Sequence, residues 1–188
     1  PFRPHRFGIA ASAACGAPGF TYSGQPFGSV VVSALNFAGG ITRNYNGTAS
    51  TTPNWARALT FSDPAASPIG SFSAGWAASQ FNEGVGTGSL SYTFTAQPAG
   101  PMTLGSASYP PLTLRATDSD GVSSSAGAPA EPQLSLRRGR IALASRMGSA
   151  SGTLAIPIRL EYWSGKSWVL SGDDSCTTLS SGNVALSG

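Results

Sequence analysis

Hydrophobic positions along this chain alternate with polar ones at the period of strands. From Thr153 to Trp163 the alternation is strict: Leu154, Ile156, Ile158, Leu160 and Tyr162 share one side, and Arg159, Glu161 and Trp163 the other. Ser164-Gly165 supplies a reversal. Pairing on through Lys166 to Leu170 sets Trp163 and Trp168 on one face in either of the short loop lengths, because both registers keep side-chain parity. Gly28 to Phe37 is β-branched and apolar up to Ala38-Gly39-Gly40, and Ile41 to Tyr45 returns as far as Asn46-Gly47, which predicts a hairpin. Ser89 to Thr95 alternates Leu90, Tyr92 and Phe94 against Ser and Thr, after a glycine-rich stretch, Gly84 to Gly88, that reads as a turn. Leu112 to Ala116 is a further strand. Leu134 and Leu136 have one parity and Ile141 and Leu143 the other, so a bulge or turn is expected within Arg137-Arg138-Gly139. Pro157 removes a ladder donor, which predicts that its strand lies at a sheet edge, open to strand addition by another chain, or that the missing N–H faces solvent or a bulge.

No segment has the stripe of an amphipathic helix, so the expected class is all-β. The spacing of strands and turns suggests an immunoglobulin-like β-sandwich in two small tandem units. The expected divisions are a sandwich over 1–122, a Ser-, Gly- and Pro-rich connector over 123–132, and a second unit over 133–188 that is short enough to be incomplete and carries the Trp hairpin.

Composition sharpens this picture. Charged residues make up only 10% of the 188 residues, against roughly 25% in an average soluble protein, a mixture typical of extracellular β-proteins. The net charge is +3, but the basic residues are scattered apart from Arg137, Arg138 and Arg140, which read as a solvated turn; nucleic acid is not an expected partner. No apolar run is long enough to span a membrane, and a chain that starts at Pro1 without a leader suggests a mature segment or fragment of a secreted protein. Cys15 and Cys176 are the only cysteines, and without CxxC or a histidine partner they suggest a disulfide formed in an oxidising compartment; two free buried thiols are the alternative.

Catalytic chemistry finds little support. His5 is the only histidine and lies in a proline-flanked terminal segment, a poor place for a Ser-His-Asp arrangement. One His and two distant Cys do not make a zinc cluster. Gly165-Lys166-Ser167 resembles the end of a phosphate-binding loop, but Leu160 stands where the first glycine is needed. Ser89 likewise replaces the last glycine of a dinucleotide fingerprint after Gly84-x-Gly86-x-Gly88. The eight acidic residues include no pair associated with an aromatic cleft, so a glycoside hydrolase is not indicated. The expectation is a non-enzyme.

Two constellations remain as binding candidates. Trp163 and Trp168 on a polar face could stack on sugar rings, as could Trp55 and Trp76, which would make a carbohydrate-binding module; packing against a neighbouring sheet is the other reading. Asp118-Ser119-Asp120-Gly121 spaces two carboxylates as a Ca²⁺ loop does, but its glycine comes early and Pro129 occupies the position of the closing glutamate, so an Asp-rich turn is favoured and no cofactor is otherwise expected. Asn46-Gly47-Thr48 fits a glycosylation sequon and also a tight turn.

The segments FTYSGQPF (Phe20 to Phe27), ALNFAGGITRNYNG (Ala34 to Gly47), LTLRATDSDGVSS (Leu112 to Ser124), RRGRIAL (Arg137 to Leu143) and IPIRLEYWSGKSW followed by DDSCT together resemble the uncharacterised C-terminal domain of MshQ-like proteins, over nearly the whole chain. Those proteins are large, secreted and proteobacterial, and are encoded with type IV pilus systems of the mannose-sensitive haemagglutinin kind. The resemblance implies a structural or adhesive domain on the pilus or cell exterior, with other pilus or cell-surface subunits as partners and no reaction. Members usually continue past the DSCT motif, so the resemblance leaves room for missing strands and makes the Cys15–Cys176 pairing less secure than the cysteine count alone.

Overall fold

Residues 6 to 12 and 29 to 35 set the frame, because their inward positions match across one antiparallel pair. The register puts Phe7 opposite Ala34, Ile9 opposite Val32 and Ala11 opposite Val30 on the core side. The computed structural model describes residues 3–17, 19–48, 54–65, 69–105, 109–125, 127–149, 151–180 and 182. Among these there is no α-helix, only a 3₁₀ turn at Ala78–Gln80.

The strands are β1 (Arg6–Ser12), β2 (Thr21–Tyr22), β3 (Ser29–Leu35), β4 (Leu59–Ser62), β5 (Gly70–Phe72), β6 (Phe81–Asn82), β7 (Val85–Thr87), β8 (Tyr92–Phe94), β9 (Leu112–Thr113), β10 (Arg115–Asp118), β11 (Gln133–Leu134), β12 (Leu136–Arg137), β13 (Gly139–Leu143), β14 (Ile158–Trp163) and β15 (Trp168–Leu170). One layer is the four-stranded sheet β1-β3-β7-β6. Short pairs, β4 with β10, β5 with β8 and β9 with β11, supply the other layer, and β2 runs parallel to β12. The architecture is an all-β sandwich. Val30, Val32, Phe7 and Phe81 from the first layer meet Leu59, Leu112, Leu114 and Leu136 in one core. Phe7, Tyr45 and Phe81 form an aromatic cluster, with Phe81 edge-on to Tyr45 at 4.9 Å.

Several sequence expectations change. Gly84 to Gly88 is mostly strand: β7 is hydrogen-bonded between β3 and β6, and the reversal lies just before it at Glu83 and Gly84, both with positive φ. Glycine is needed there because rings lie over the strand; a Cβ on Gly86 would stand 3.0 Å from Phe81 and one on Gly88 2.8 Å from Trp76. The predicted hairpin shrinks to one bridge, Leu35 to Ile41, because β3 already has β1 and β7 as neighbours. Leu90, Tyr92 and Leu112 to Ala116 do line the core as their alternation implies.

In the C-terminal region the order β13-β14-β15 places β14 in the middle. Pro157 precedes the first residue of β14, so the missing donor falls outside the ladder, and of the alternative placements expected for it the sheet edge is overturned. The strand also starts later than its alternation suggests, since β13 ends at Leu143 and leaves 153–157 with little to pair with. The expected register change occurs at Arg138, between β12, which pairs with β2, and β13, which pairs with β14. Residues of the Ser-, Gly- and Pro-rich stretch are tied to the first layers: Ser123 bridges Thr117, Ser124 Oγ donates to Glu131, and Arg115 holds Glu131 with two bonds of 2.8 and 2.9 Å. Arg115 keeps the Glu131 carboxyl below its ordinary range, with burial opposing and Ser124 assisting.

Candidate functional site at the joint between the two units

Where β12 gives way to β13, the sequence places Arg137 between two aromatic positions. Its guanidinium lies 3.8 Å from the Phe20 ring centroid and 4.5 Å from that of Tyr162. It also donates to both oxygens of Asp173, at 2.6 and 2.7 Å. Arg137 is only 9% exposed, so its expected solvated position is overturned. The planar guanidinium can stack on both faces while its rim meets the carboxylate, a combination that lysine lacks. Arg137 in turn lowers the pKa of Asp173 through this bond, against a smaller burial penalty.

The DDSCT segment completes the joint. Asp174 accepts bonds from the backbone N–H groups of Cys176 and Thr177, the Thr177 hydroxyl and the Tyr22 hydroxyl. Burial alone would raise Asp174, but these donors together bring it below the ordinary carboxylate range. Tyr22 Oη also lies 2.8 Å from Ser171 Oγ, and burial is the main cause that pushes the Tyr22 phenol up to about 12. Cys15 and Cys176 form a disulfide with Cα atoms 5.1 Å apart, so the Cys–Asp–Cys cluster there is committed to a cross-link and has no thiolates to offer a metal.

The Trp hairpin is the third contact. Trp163 and Trp168 are direct cross-strand partners on one face, as parity requires, with rings edge-to-face at 5.6 Å. Trp163 Nε1 donates to Pro98 O at 2.8 Å, and Gly165 sits so close to Ala99 that a Cβ would stand 2.1 Å from its carbonyl oxygen. Arg140 covers Trp168 at 4.3 Å while bonding Glu161. Two rings inclined at 65°, one tied to the 98–100 loop and the other beneath a guanidinium, form packing contacts more readily than a flat sugar platform. Trp76 is 2% exposed and donates to Ser89 O, so it is a core residue and does not present a ring to a ligand, while Trp55 is half-buried.

The remaining candidates lie apart from the joint. Asp118 is buried; its oxygens accept bonds from the N–H groups of Asp120 and Val122 and from the Tyr45 hydroxyl, while Asp120 pairs with Arg57 at 3.1 Å. Those bonds hold a turn. Three donors on one carboxylate and a cation on the other leave few lone pairs facing outward for Ca²⁺. Burial, opposed by the Arg57 N–H, also raises the Tyr45 phenol well above its ordinary value. His5 is exposed against Phe37. Asn46 Oδ1 accepts from the Thr48 N–H, a turn with Gly47 held against the Ala78 carbonyl.

Arg137 read from the sequence as part of a solvated turn, and Asp173, Asp174 and Tyr22 were not singled out as site residues by their pattern. The available signal was the paired aspartates two residues before a cysteine, since Asx turns use such residues, but their partners are distant in sequence.

Comparison with known proteins bears on this joint. The model of the third domain of DUF6701 matches residues 1–136, and that of the fourth domain matches residues 137–188. The chain belongs to the DUF6701 family. No curated protein and no solved structure matches it. Arg137 is the first residue of the fourth-domain match, and its partner Asp173 lies in the same match; its stacking on Phe20, the Ser23 N–H bond to its carbonyl and the disulfide are what connect the two matched regions of this DUF6701 chain.

Proposed function

We propose that this DUF6701 segment is a non-catalytic structural and adhesive module of a secreted, MshQ-like protein on a type IV pilus or the cell surface, and that its task is to hold two β units in a fixed relation. The observation that carries this reading is the joint: a disulfide, an arginine stacked on Phe20 and the Tyr22–Asp174 hydrogen bond link the third-domain region to the fourth. A disulfide persists in the oxidising compartments such a protein would cross. The charge-poor, hydroxyl-rich surface and the sequence motifs shared with MshQ-like proteins support the same placement.

The test is to shear pili from producing cells and analyse them by peptide mass spectrometry with and without reduction. Enrichment in the filament or surface fraction, with Cys15 and Cys176 linked, supports the proposal; a reduced cytosolic chain overturns it. Glycan binding is the second reading. A glycan-array signal that Trp168→Ala abolishes without lowering thermal stability would favour it over a purely structural role.

A further inference from the structure

The edge of β13 is open, and the hydrogen-bond phase shows which groups it offers. The Trp163 N–H donates to Arg138 O and the Ala144 N–H to Pro157 O, so Arg138, Arg140, Ala142 and Ala144 turn their backbone groups toward β14. Gly139, Ile141 and Leu143 therefore direct their N–H and C=O groups away from β14, and among the described residues no strand pairs with β13 on that side. A cleft of about 460 Å³ lies along this stretch, lined by Arg138 to Ile141 and Leu160 together with Tyr22, Ser23, Phe94 and Thr177. A free row of donors and acceptors beside an open cleft is a template for an added strand.

The two faces define the strand that fits. Arg138, Arg140 and Arg159 share one face by register, and of these only Arg140 is neutralised, by Glu161. Arg138 and Arg159 have no side-chain hydrogen-bond or ion-pair partner among the described residues. The opposite face carries Ile141, Leu143 and Ile158, which are 56%, 67% and 41% exposed. An added strand thus meets cations on one face and uncovered aliphatic groups on the other.

We infer that β13 is an acceptor for an extended peptide segment of a partner protein in which acidic and aliphatic residues alternate. A second copy of this chain fits less well, because edge-to-edge pairing would bring both sets of arginines onto one face, where like charges repel. The inference stands on the geometry of β13 and deepens the assembly role proposed above only in saying what kind of partner would be held.

The test uses the full chain and an acetylated peptide of alternating glutamate and valine, roughly nine residues long so that it overspans the strand. Binding is read by fluorescence anisotropy. The expected results are saturable binding, a loss of about ten-fold or more when alternate peptide nitrogens are methylated, and a similar loss when lysine replaces glutamate. Ile141→Pro, which removes an outward N–H without touching the β14 ladder, should weaken binding with little change in the melting temperature. Equal binding of the methylated or the lysine peptide, or none of the parent peptide, overturns the inference. Dimerisation of the free chain that Ile141→Pro abolishes overturns it in favour of self-association, and competition by an acidic oligosaccharide but not by the peptide would overturn it in favour of a sugar site. Because these readouts do not depend on where the protein resides, they fail or succeed separately from the pilus-shearing test.

Discussion

Removing the Cys15–Cys176 bridge should destabilise the whole assembly, and the size of the effect follows from the sequence separation of 161. In the chain-entropy model the closed loop lowers the entropy of the unfolded chain by about 17 cal/mol/K, which is about 5 kcal/mol at room temperature. Unfolding entropy of roughly 2 cal/mol/K per residue gives about 0.4 kcal/mol/K for a chain this long, so the melting temperature should fall by about 13 °C. The variant to use is the double substitution Cys15→Ala and Cys176→Ala, which leaves no thiol; Cys15 is buried, so a small packing loss adds to the entropic one. Scanning calorimetry on that variant, and on the unsubstituted chain with and without reductant, measures the shift. The two routes should agree within a few degrees. A shift below about 3 °C would refute the reasoning, because the unfolded chain would then be no freer without the bridge. A split into two transitions would show instead that the bridge is what makes the two regions unfold together.

Arg137→Ala should cost about 2 kcal/mol, since it removes the buried guanidinium stacked against Phe20 and Tyr162 while the exposed Asp173 is rehydrated, and Arg137→Lys should recover less than half of that; urea denaturation midpoints measure both. Acid should weaken both the joint and the Arg115–Glu131 pair of the first region: Asp173, Asp174 and Glu131 all have lowered pKa values, so their contributions are present above the unfolded carboxylate range near pH 4 and are lost as pH falls through the depressed folded values. Asp173→Asn should flatten that acid limb of a stability–pH curve. At the alkaline end the sign reverses, because the Tyr22 phenol stays protonated in the folded chain up to about 12 whereas the unfolded one ionises near 10. Stability should therefore fall across that interval, and Tyr22→Phe should reduce the slope.

The strand content was legible where inward side chains alternate cleanly, at Val30 to Ala34 and Leu90 to Phe94, and parity alone set Trp163 beside Trp168; β1 was not read from the sequence, because RFGIAAS lacks that alternation. Partnership was much less legible. Pro157 indicates that a donor is missing but not whether the strand around it is central, and the outcome turned on where β13 stops. Gly84 to Gly88 resembled a turn because the pattern cannot show that Phe81 and Trp76 lie over those glycines. Arg137 looked solvated for a similar reason: its rings come from Phe20 and Tyr162 and its carboxylate from Asp173, none of them within a local window. Long-range polar contacts leave little periodicity in a sequence, whereas core faces do.

The distribution of buried apolar groups shows why the joint matters most to the C-terminal region. Every buried hydrophobic residue among those described lies at or before Leu136; beyond it only Arg137 and Ser171 are buried. The sheet β13-β14-β15 thus has no core of its own, and Ile141, Leu143 and Ile158 remain uncovered on one face. A three-stranded sheet without a packed face does not offset the entropy of ordering its residues, at roughly 1 to 2 kcal/mol each. Its order must come from the stacking of Arg137 on Phe20, the Tyr22–Asp174 bond, the Trp163 contact with Pro98 and the disulfide, all of which reach into the first region. Residues 137–188 expressed alone should therefore be unfolded, with collapsed amide dispersion in an NMR spectrum, whereas the same residues in the full chain should show protected β14 amides. A well-dispersed spectrum from the excised piece would mean that the sheet supplies its own stability, and would remove the argument that the open edge of β13 and its bare aliphatic face await a covering strand.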